Sequence, residues 1–331
     1  MKKKGISEWI FAGCLATLAL LGITWAMVEP KPPEPEVIVQ TITTTVIPEA
    51  EPTPEPLSID ENHTLTLSYN DELLELDWQT YLVGVVLAEM PASFEPAALE
   101  AQAVAARTFL ARSIQSPKHT DCDLCGSSTC CQAYSDEVAT ALKLGDDYPL
   151  YLEKVTAAVT ATDGQVLTYE GQLIDAVYFS CSGGMTEDAF AVWGGEVPYL
   201  QSVESPGEEG SSHYTTQITM TMAEFATALE ELGLSSNTQI GQTIYTQGGG
   251  VAQMKIGAQW VDGTALRTAL SLDSTNFTIA IDGDTVTIQT WGYGHRVGMS
   301  QYGAQAMAMD GATYDEILQH YYTGVTLEKI Q

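Results

Sequence analysis

Two long apolar stretches separated by a short proline-containing break form the strongest hydrophobic pattern in the chain. Residues 81–112 read YLVGVVLAEMPASFEPAALEAQAVAARTFLAR. This pattern predicts two helices, the second running from Ala97 to Ile114, with Glu95 and Pro96 suited to its first turn. Apolar residues occupy most of the circumference of the second helix, so we expect it to be buried.

Buried polar side chains need hydrogen-bonding partners, and the second helix carries several. Glu100 and Arg107 share a face of that helix, which suits an internal hydrogen-bonding role. Gln102 points elsewhere and suits a cleft. The alternative for all three is a satisfied polar group inside the core.

Shorter patterns predict the remaining elements. Alternating polar and apolar residues indicate strands. Apolar residues that repeat at helical spacing and end at a glycine indicate a helix. The fold class predicted is α+β, with a mostly helical catalytic core, antiparallel strands and a smaller inserted α/β module at residues 214–272. The expected strands are Thr64–Tyr69, Gln165–Tyr169, Ile174–Phe179, Gln253–Gln259, Phe277–Ile281 and Thr285–Thr290; Thr216–Leu234 is expected to be a strand and a helix ending at Gly233, and Tyr314–Tyr321 the final helix.

The N-terminal segment predicts a membrane anchor. Three lysines precede an apolar run from Trp9 to Val28 that is long enough to span a bilayer. The positive-inside rule places the lysines in the cytoplasm and the later residues outside the cell. A cleaved signal peptide is the alternative. The predicted organisation is therefore an anchor at residues 1–28, a Pro/Glu/Thr-rich disordered tether at 29–57 and a catalytic domain at 58–331.

Composition excludes one class of partner. The chain has 13 basic and 43 acidic residues, a formal net charge of -30. Nucleic acid is not expected as a ligand, because phosphate binding requires clustered Lys and Arg. No phosphate-binding glycine motif is present, and we expect no organic cofactor.

Glu89 is a single carboxylate placed just before the break between the two apolar helices. Apolar surroundings disfavour ionisation, so such a carboxyl can retain its proton near neutral pH. A general acid needs this property. The alternative is a carboxylate that caps or salt-bridges the helix end.

A cysteine-rich segment, HTDCDLCGSSTCCQAY, begins at His119. His119, Cys125 and Cys131 are six residues apart, and mixed His/Cys ligands suit tetrahedral Zn2+. Cys122 and Cys130 are alternative ligands. Disulfide bonds are the competing interpretation, because the expected compartment is oxidising.

Two further segments suit ligand contact. The first runs from Tyr178 to Glu208 and combines small hydroxyl and glycine residues with Trp193 and Tyr199, which suit stacking on a sugar ring. The second runs from Trp291 to Ala308 and leads into a helix. Either segment alone is compatible with turns and core aromatic residues.

Taken together, these segments resemble the SpoIID family of membrane-anchored lytic transglycosylases from endospore-forming bacteria. The resemblance rests on EMP at Glu89, AQAVAARTF, SGGMTED, VWG with PYLQSV, STNF and GHRVGMSQYGAQAMA, which occur in the family's order. It implies cleavage of peptidoglycan between N-acetylmuramic acid and N-acetylglucosamine, with 1,6-anhydromuramic ends as products.

The resemblance also implies roles for individual residues. Glu89 matches the catalytic glutamate, and His119, Cys125 and Cys131 resemble a zinc-binding segment of clostridial-type members, with Glu89 as an occasional fourth ligand. The expected partners are glycan strands stripped of stem peptides, a sporulation amidase and a polytopic membrane scaffold. The expected groove-lining residues are Gln102, Arg107, Ser182, Gly183, His295, Ser300, Gln301 and Tyr302.

The chain departs from the family pattern in three places. Cys122 and Cys130 add thiols beside the expected ligands, which leaves the coordination set open, Cys181 stands where a Thr is common, and Arg296 replaces a common Gly after His295. Cys181 suggests a disulfide or a metal contact within the groove, and Arg296 a cation near the substrate. Two alternative functions remain open at this point: a non-catalytic glycan-binding protein like the amidase enhancers, and a zinc-dependent cell-wall hydrolase.

Overall fold

Helices α1 (Trp78–Glu89) and α2 (Pro96–Gln115) lie within the main hydrophobic core of the computed structural model, which describes residues 64–234 and 239–330. The Asp77 side chain caps α1 by accepting a hydrogen bond from the Thr80 amide at 2.8 Å. Pro96 begins α2, where its missing N–H is no loss. Both predicted helices, and the burial of the second, are confirmed.

The other elements surround this helical pair as small sheets and short helices. Helix α2 contacts α1 and three later helices, α4 (Tyr148–Ala161), α8 (Gln301–Met309) and α9 (Tyr314–Tyr321). The remaining helices are α3 (Glu137–Leu144), α5 (Ala189–Trp193), α6 (Met222–Glu230) and α7 (Gly263–Ala269). The strands are β1 (Leu65–Tyr69), β2 (Glu72–Leu76), β3 (Leu124–Cys125), β4 (Gln165–Tyr169), β5 (Gln172–Leu173), β6 (Tyr178–Phe179), β7 (Gly184–Met185), β8 (Glu204–Ser205), β9 (Thr215–Thr221), β10 (Ile240–Tyr245), β11 (Val251–Ile256), β12 (Gln259–Asp262), β13 (Phe277–Asp282), β14 (Thr285–Trp291), β15 (Met299–Ser300) and β16 (Thr326–Lys329).

The mixture of elements confirms the α+β class, since 36% of the described residues are helical and 27% are in strands. The sheet orders are β2-β1-β3, β16-β4-β5, β13-β14-β9, β10-β11-β12, β15-β6 and β7-β8. Most pairs are antiparallel, whereas β1 with β3 and β6 with β15 are parallel.

Two predicted strands differ from the structure. Only Tyr178–Phe179 of the predicted strand Ile174–Phe179 is a strand, because the Val177 amide bonds locally to the Asp175 carbonyl at 2.9 Å. The predicted strand Gln253–Gln259 is divided between β11 and β12 by a turn at Gly257, whose φ of 59° favours glycine.

A second hydrophobic cluster involves the later part of the chain. It contains Phe225 and Leu229 of α6, and it extends past residue 272 to Val286 and Ile288. Strand β14 pairs antiparallel with β9 along its whole length, which accounts for that extension. The division into a main domain and a module at 214–272 stays a prediction.

No helix within residues 64–234 and 239–330 is long and apolar enough to cross a membrane. The predicted anchor and tether, residues 1–57, lie outside the described residues.

Candidate active site and metal cluster

Glu89 is the last residue of α1, and its side chain is partly buried. Its Oε1 accepts a hydrogen bond from the Ala133 amide at 2.7 Å. Burial raises the pKa of the Glu89 carboxyl, while the Ala133 amide and the Tyr178 hydroxyl act in the opposite direction. A helix C-terminus also disfavours a negative charge. The position therefore favours the protonated acid and still provides one donor for the carboxylate.

The segment that supplies Ala133 is fixed against α1 by aromatic packing. The ring of Tyr134 stacks on Tyr81, with ring centroids 5.9 Å apart. Gly84 makes room for that ring, since a Cβ there would lie 2.3 Å from Tyr134. The Ser135 amide also bonds to the Gly84 carbonyl at 3.3 Å.

Gln132 joins two tyrosines, and one of them, Tyr178, hydrogen-bonds to Glu89. Gln132 accepts a hydrogen bond from the Tyr81 hydroxyl at 3.1 Å and donates one to the Tyr178 hydroxyl at 3.0 Å. Because Tyr178 accepts from Gln132, its own proton is available to Glu89. Neither Gln132 nor Tyr178 was predicted individually as a site residue. The local signals were the position of Gln132 directly after the cysteines and that of Tyr178 at the start of a predicted ligand-contact segment.

His119, Cys125, Cys130 and Cys131 form a cluster whose potential ligand atoms all lie within 4.8 Å of one another. The structure thus brings the three predicted ligands together and makes Cys130, rather than Cys122 or Glu89, the fourth member. Strand β3 places Cys125 by pairing with β1. The His119 Nε2 atom lies 3.2 Å from Cys131 Sγ and 3.7 Å from Cys130 Sγ.

The donor set fits a metal ion of the zinc type, since one imidazole and three thiols suit tetrahedral coordination. Without a cation, burial raises the pKa of the Cys131 thiol to about 12. Metal binding would displace thiol protons. Cys131 is followed directly by Gln132 and Ala133, so the cluster shares a backbone segment with the contacts to Glu89.

Ser182 and Ser300, both predicted to line the groove, are fully buried and donate to a carboxylate that sequence analysis did not single out, Glu208. The amides of Ser182 and Gly183 also donate to Glu208, at 2.8 and 2.9 Å. Their prediction as direct glycan contacts is not supported by this placement. The convergence of donors on Glu208 depends on tertiary structure and leaves no local pattern in the sequence.

Gly183 has a conformational role. Its φ is 73°, and a Cβ there would lie 2.8 Å from the Gly292 nitrogen. Close approach of the two predicted ligand segments therefore requires glycine at this position.

Arg107 is buried, and its predicted place in a glycan groove stays a prediction. Its guanidinium donates to the carbonyls of Val159, Thr162 and Gln165 at 3.0, 2.7 and 3.3 Å. The side chain joins α2 to the end of α4 and the start of β4, in agreement with the predicted internal hydrogen-bonding role.

Gln102 and Gln301 do lie together. The Gln301 side chain donates to Gln102 Oε1 at 3.3 Å, and within the described part of the chain the buried Nε2 of Gln102 has no partner. Tyr302 is partly buried and packs edge-on against Phe94, with centroids 5.1 Å apart.

His295 lies between aromatic rings, 5.6 Å from Phe179 and 5.3 Å from Trp193 by centroid distance. Its Nδ1 accepts a hydrogen bond from the Val297 amide at 3.1 Å. Burial, aided by the charge of Arg267, lowers the pKa of His295 to about 4, so the ring is neutral near neutral pH. Trp193 is 51% exposed and remains accessible, whereas the Tyr199 hydroxyl is engaged by the Asp175 amide.

Comparisons with known proteins place the chain in a family. Residues 69–169, which include Glu89 and the His/Cys cluster, match the SpoIID family, described as stage II sporulation protein. Stage II sporulation protein D of Bacillus subtilis (strain 168) is 40% identical over 269 residues, covering 78% of this chain and 77% of that protein. The chain belongs to the SpoIID family. The Bacillus amyloliquefaciens protein of the same name is 39% identical over 268 residues, covering 78% of this chain and 76% of that protein.

The amidase enhancer of Bacillus subtilis (strain 168) is a more distant relative of this SpoIID-family chain. It is 31% identical over 301 residues, which cover 74% of this chain and 40% of the enhancer.

The side chains of Cys181 and Arg296, two of the departures from the family pattern, are buried. Cys181 is a buried free thiol whose Sγ donates to Glu208 at 3.3 Å, so neither the suggested disulfide nor a metal contact is present among the described residues. Arg296 is fully buried, 3.3 Å from Glu187, and does not place a cation in the groove as expected. Its φ of 65° explains why glycine suits this position.

Arg296 connects distant parts of the chain. Its guanidinium donates to the carbonyls of Ser182, Met185 and Gly248, in addition to Glu187. Gly248 lies in the turn between β10 and β11, so this side chain fixes that turn to the segment after β6.

Replacing Arg296 by Met is expected to reduce the free energy of unfolding by about 3–5 kcal/mol, because the Glu187 carboxylate would remain buried without its counter-ion. The measurement is denaturant unfolding. The control is Arg112→Met, which removes a half-exposed pair with Asp175 and is expected to cost below about 1 kcal/mol. Adding Glu187→Gln to Arg296→Met should recover part of the loss; equal costs for the two single variants would contradict this account.

Glu89→Gln is expected to stabilise the fold above pH 4.5, the ordinary value, because burial raises the pKa of Glu89 and its ionisation opposes folding there. Below that pH the advantage should disappear. Glu224→Gln should have the opposite effect, since hydrogen bonds from Thr221 lower the pKa of the Glu224 carboxyl. Thermal unfolding across a pH series checks both signs, and a Glu89→Gln variant less stable than wild type at neutral pH would contradict the first.

Proposed function

We propose that the chain is a lytic transglycosylase that cleaves peptidoglycan between N-acetylmuramic acid and N-acetylglucosamine during sporulation. The observation that carries the proposal is the position of Glu89: a partly accessible carboxyl with a raised pKa and a single firm backbone donor. Membership of the SpoIID family supports the sporulation context.

The first half of the proposed reaction requires an acid. The protonated Glu89 carboxyl donates its proton to the glycosidic oxygen as the bond to C1 of the muramic residue breaks. The resulting carboxylate is stabilised by the Ala133 amide, and the Tyr178 hydroxyl adds a second donor.

The second half requires a base. The Glu89 carboxylate accepts the proton of the C6 hydroxyl as that oxygen attacks C1, which closes the 1,6-anhydro ring. No water enters the product, so one carboxyl replaces the pair that most glycosidases use.

Zinc is proposed as a structural ion held by His119, Cys125, Cys130 and Cys131. Bound there, it would supply cross-linking of the segment that holds Gln132 and Ala133. Four protein ligands leave no open coordination position, which disfavours a zinc hydrolase.

The extracytoplasmic location and the partners are part of the same proposal. The apolar run at residues 9–28 supports a single-pass anchor with the catalytic domain outside the cell. A sporulation amidase that strips stem peptides and a polytopic membrane scaffold are the proposed partners.

The second candidate is a non-catalytic glycan-binding protein, and similarity to the amidase enhancer favours it. The two candidates differ in their products: a binding protein leaves glycan strands intact and needs no proton donor at residue 89.

Glu89→Gln is expected to reduce formation of anhydro products at least about a hundredfold, because the amide has no proton of suitable acidity to donate. The test incubates purified full-length protein with amidase-treated sacculi and identifies the products by mass spectrometry. Wild-type activity should decline as pH rises through the raised pKa of Glu89, where the acid form is lost.

Glu100→Gln is the matched control for that experiment, since burial raises the pKa of Glu100 too but no catalytic role is proposed for it. Its activity should equal that of wild type. Anhydro products from Glu89→Gln at the wild-type rate would contradict catalysis, and their absence from every sample would favour the binding function.

Cys130→Ser is expected to weaken zinc binding strongly, while Cys122→Ser should leave it unchanged because Cys122 lies outside the cluster. Competition with a chelator, followed by elemental analysis of the protein, measures both. Loss of zinc from Cys122→Ser but not from Cys130→Ser would contradict the proposed ligand set.

A further inference from the structure

A cleft of about 460 Å³ lies beside the end of α7, and the proposed reaction does not use its residues. The volume is within the range of small-ligand sites. Polar and aromatic side chains dominate its lining, which includes Thr264, Arg267, Thr268, Ser271, Asp273 and Tyr293.

An internal hydrogen bond orients the Arg267 side chain but engages only its Nε atom. Its Nε donates to the Leu272 carbonyl at 3.2 Å, which fixes the plane of the guanidinium. Within the described part of the chain, no ion pair or hydrogen bond engages its two terminal nitrogens. Asp273, the acidic residue of the cleft, accepts a hydrogen bond from the Thr216 hydroxyl at 2.7 Å, and its charge also acts on Arg267.

The charge at this cleft differs from that of the chain as a whole. The chain carries a net charge of -30, whereas the lining of this cleft has one cation, Arg267, and one anion, Asp273. The neighbouring His295 adds no positive charge near neutral pH, because burial and Arg267 itself lower its pKa to about 4. Arg267 therefore provides the cationic contact for a ligand here.

Tyr293 supplies an aromatic surface next to that cation. It is 42% exposed, and its backbone is held to Cys181 by hydrogen bonds of 2.7 and 3.3 Å. Its ring contacts His213, with centroids 4.5 Å apart. A fixed, exposed aromatic ring suits packing against a sugar ring.

A series of contacts connects the cleft with Glu89. Tyr178, whose hydroxyl acts on Glu89, precedes Phe179, and Phe179 packs against His295. His295 follows Gly294, whose amide donates to the Asp273 carbonyl at the cleft, at 3.0 Å. Chain neighbours and packing contacts thus connect the lining of the cleft to Tyr178.

We propose that this cleft is a glycan subsite in which Arg267 binds the lactyl carboxylate of N-acetylmuramic acid while Tyr293 packs against the sugar. A planar guanidinium matches a carboxylate with two parallel hydrogen bonds. A stem peptide converts this carboxylate into an amide, so Arg267 selects strands from which the peptide has been removed. The inference rests on the proposed function for its substrate class.

The test measures binding to full-length protein carrying Glu89→Gln, so that the ligand is not cleaved. The probes are a stripped tetrasaccharide with free lactyl carboxylates, the same tetrasaccharide bearing stem peptides, and chitotetraose, which has no lactyl group. Adding Arg267→Gln should weaken binding of the stripped tetrasaccharide at least about tenfold. Binding of chitotetraose should not change, and Arg112→Gln should change neither.

Other outcomes would overturn the assignment. Equal weakening of all three probes by Arg267→Gln would indicate a structural role, and no weakening would exclude the contact. Arg267-dependent preference for the peptide-bearing probe would identify a peptide carboxylate as the ligand instead. Because binding is measured without turnover, the subsite can be supported even if wild-type protein forms no anhydro products. Conversely, anhydro products from wild-type protein together with unchanged binding after Arg267→Gln would support the proposed function and exclude the subsite.

Discussion

The hydrogen bond from the Ala133 amide to the Glu89 carboxyl is the contact on which the site depends. It joins the end of a buried helix to the segment that follows the His/Cys cluster. The aromatic packing of Tyr134 on Tyr81 fixes that segment, and the small size of Gly84 permits it. A shift of the segment would change both the solvation and the hydrogen bonding of Glu89.

Three buried or partly buried glutamates have different roles because their hydrogen-bond donors and their access to solvent differ. Glu208 accepts hydrogen bonds from several converging donors, and Glu187 is paired with Arg296, so both organise the interior. Glu89 has one backbone donor, one nearby hydroxyl and partial access to solvent. Only this last arrangement leaves a carboxyl suited to exchanging a proton with a ligand.

The features that depend on local sequence pattern could be predicted from the sequence. Apolar periodicity located α1 and α2, and the Cys spacing identified three members of the metal cluster. The sequence did not distinguish Cys122 from Cys130, because the choice depends on how the segment after β3 turns back towards His119. It also did not separate groove residues from internal ones: Arg107 and Ser300 carry polar groups that suit a glycan but point to buried carbonyls and to Glu208.

In the proposed mechanism, Glu89 promotes intramolecular attack by the C6 hydroxyl rather than hydrolysis. The most direct measurement is digestion of stripped glycan strands in water enriched in heavy oxygen, followed by mass spectrometry of the new chain ends. We expect anhydro ends that contain no oxygen from the solvent. Reducing ends labelled with solvent oxygen would contradict this mechanism.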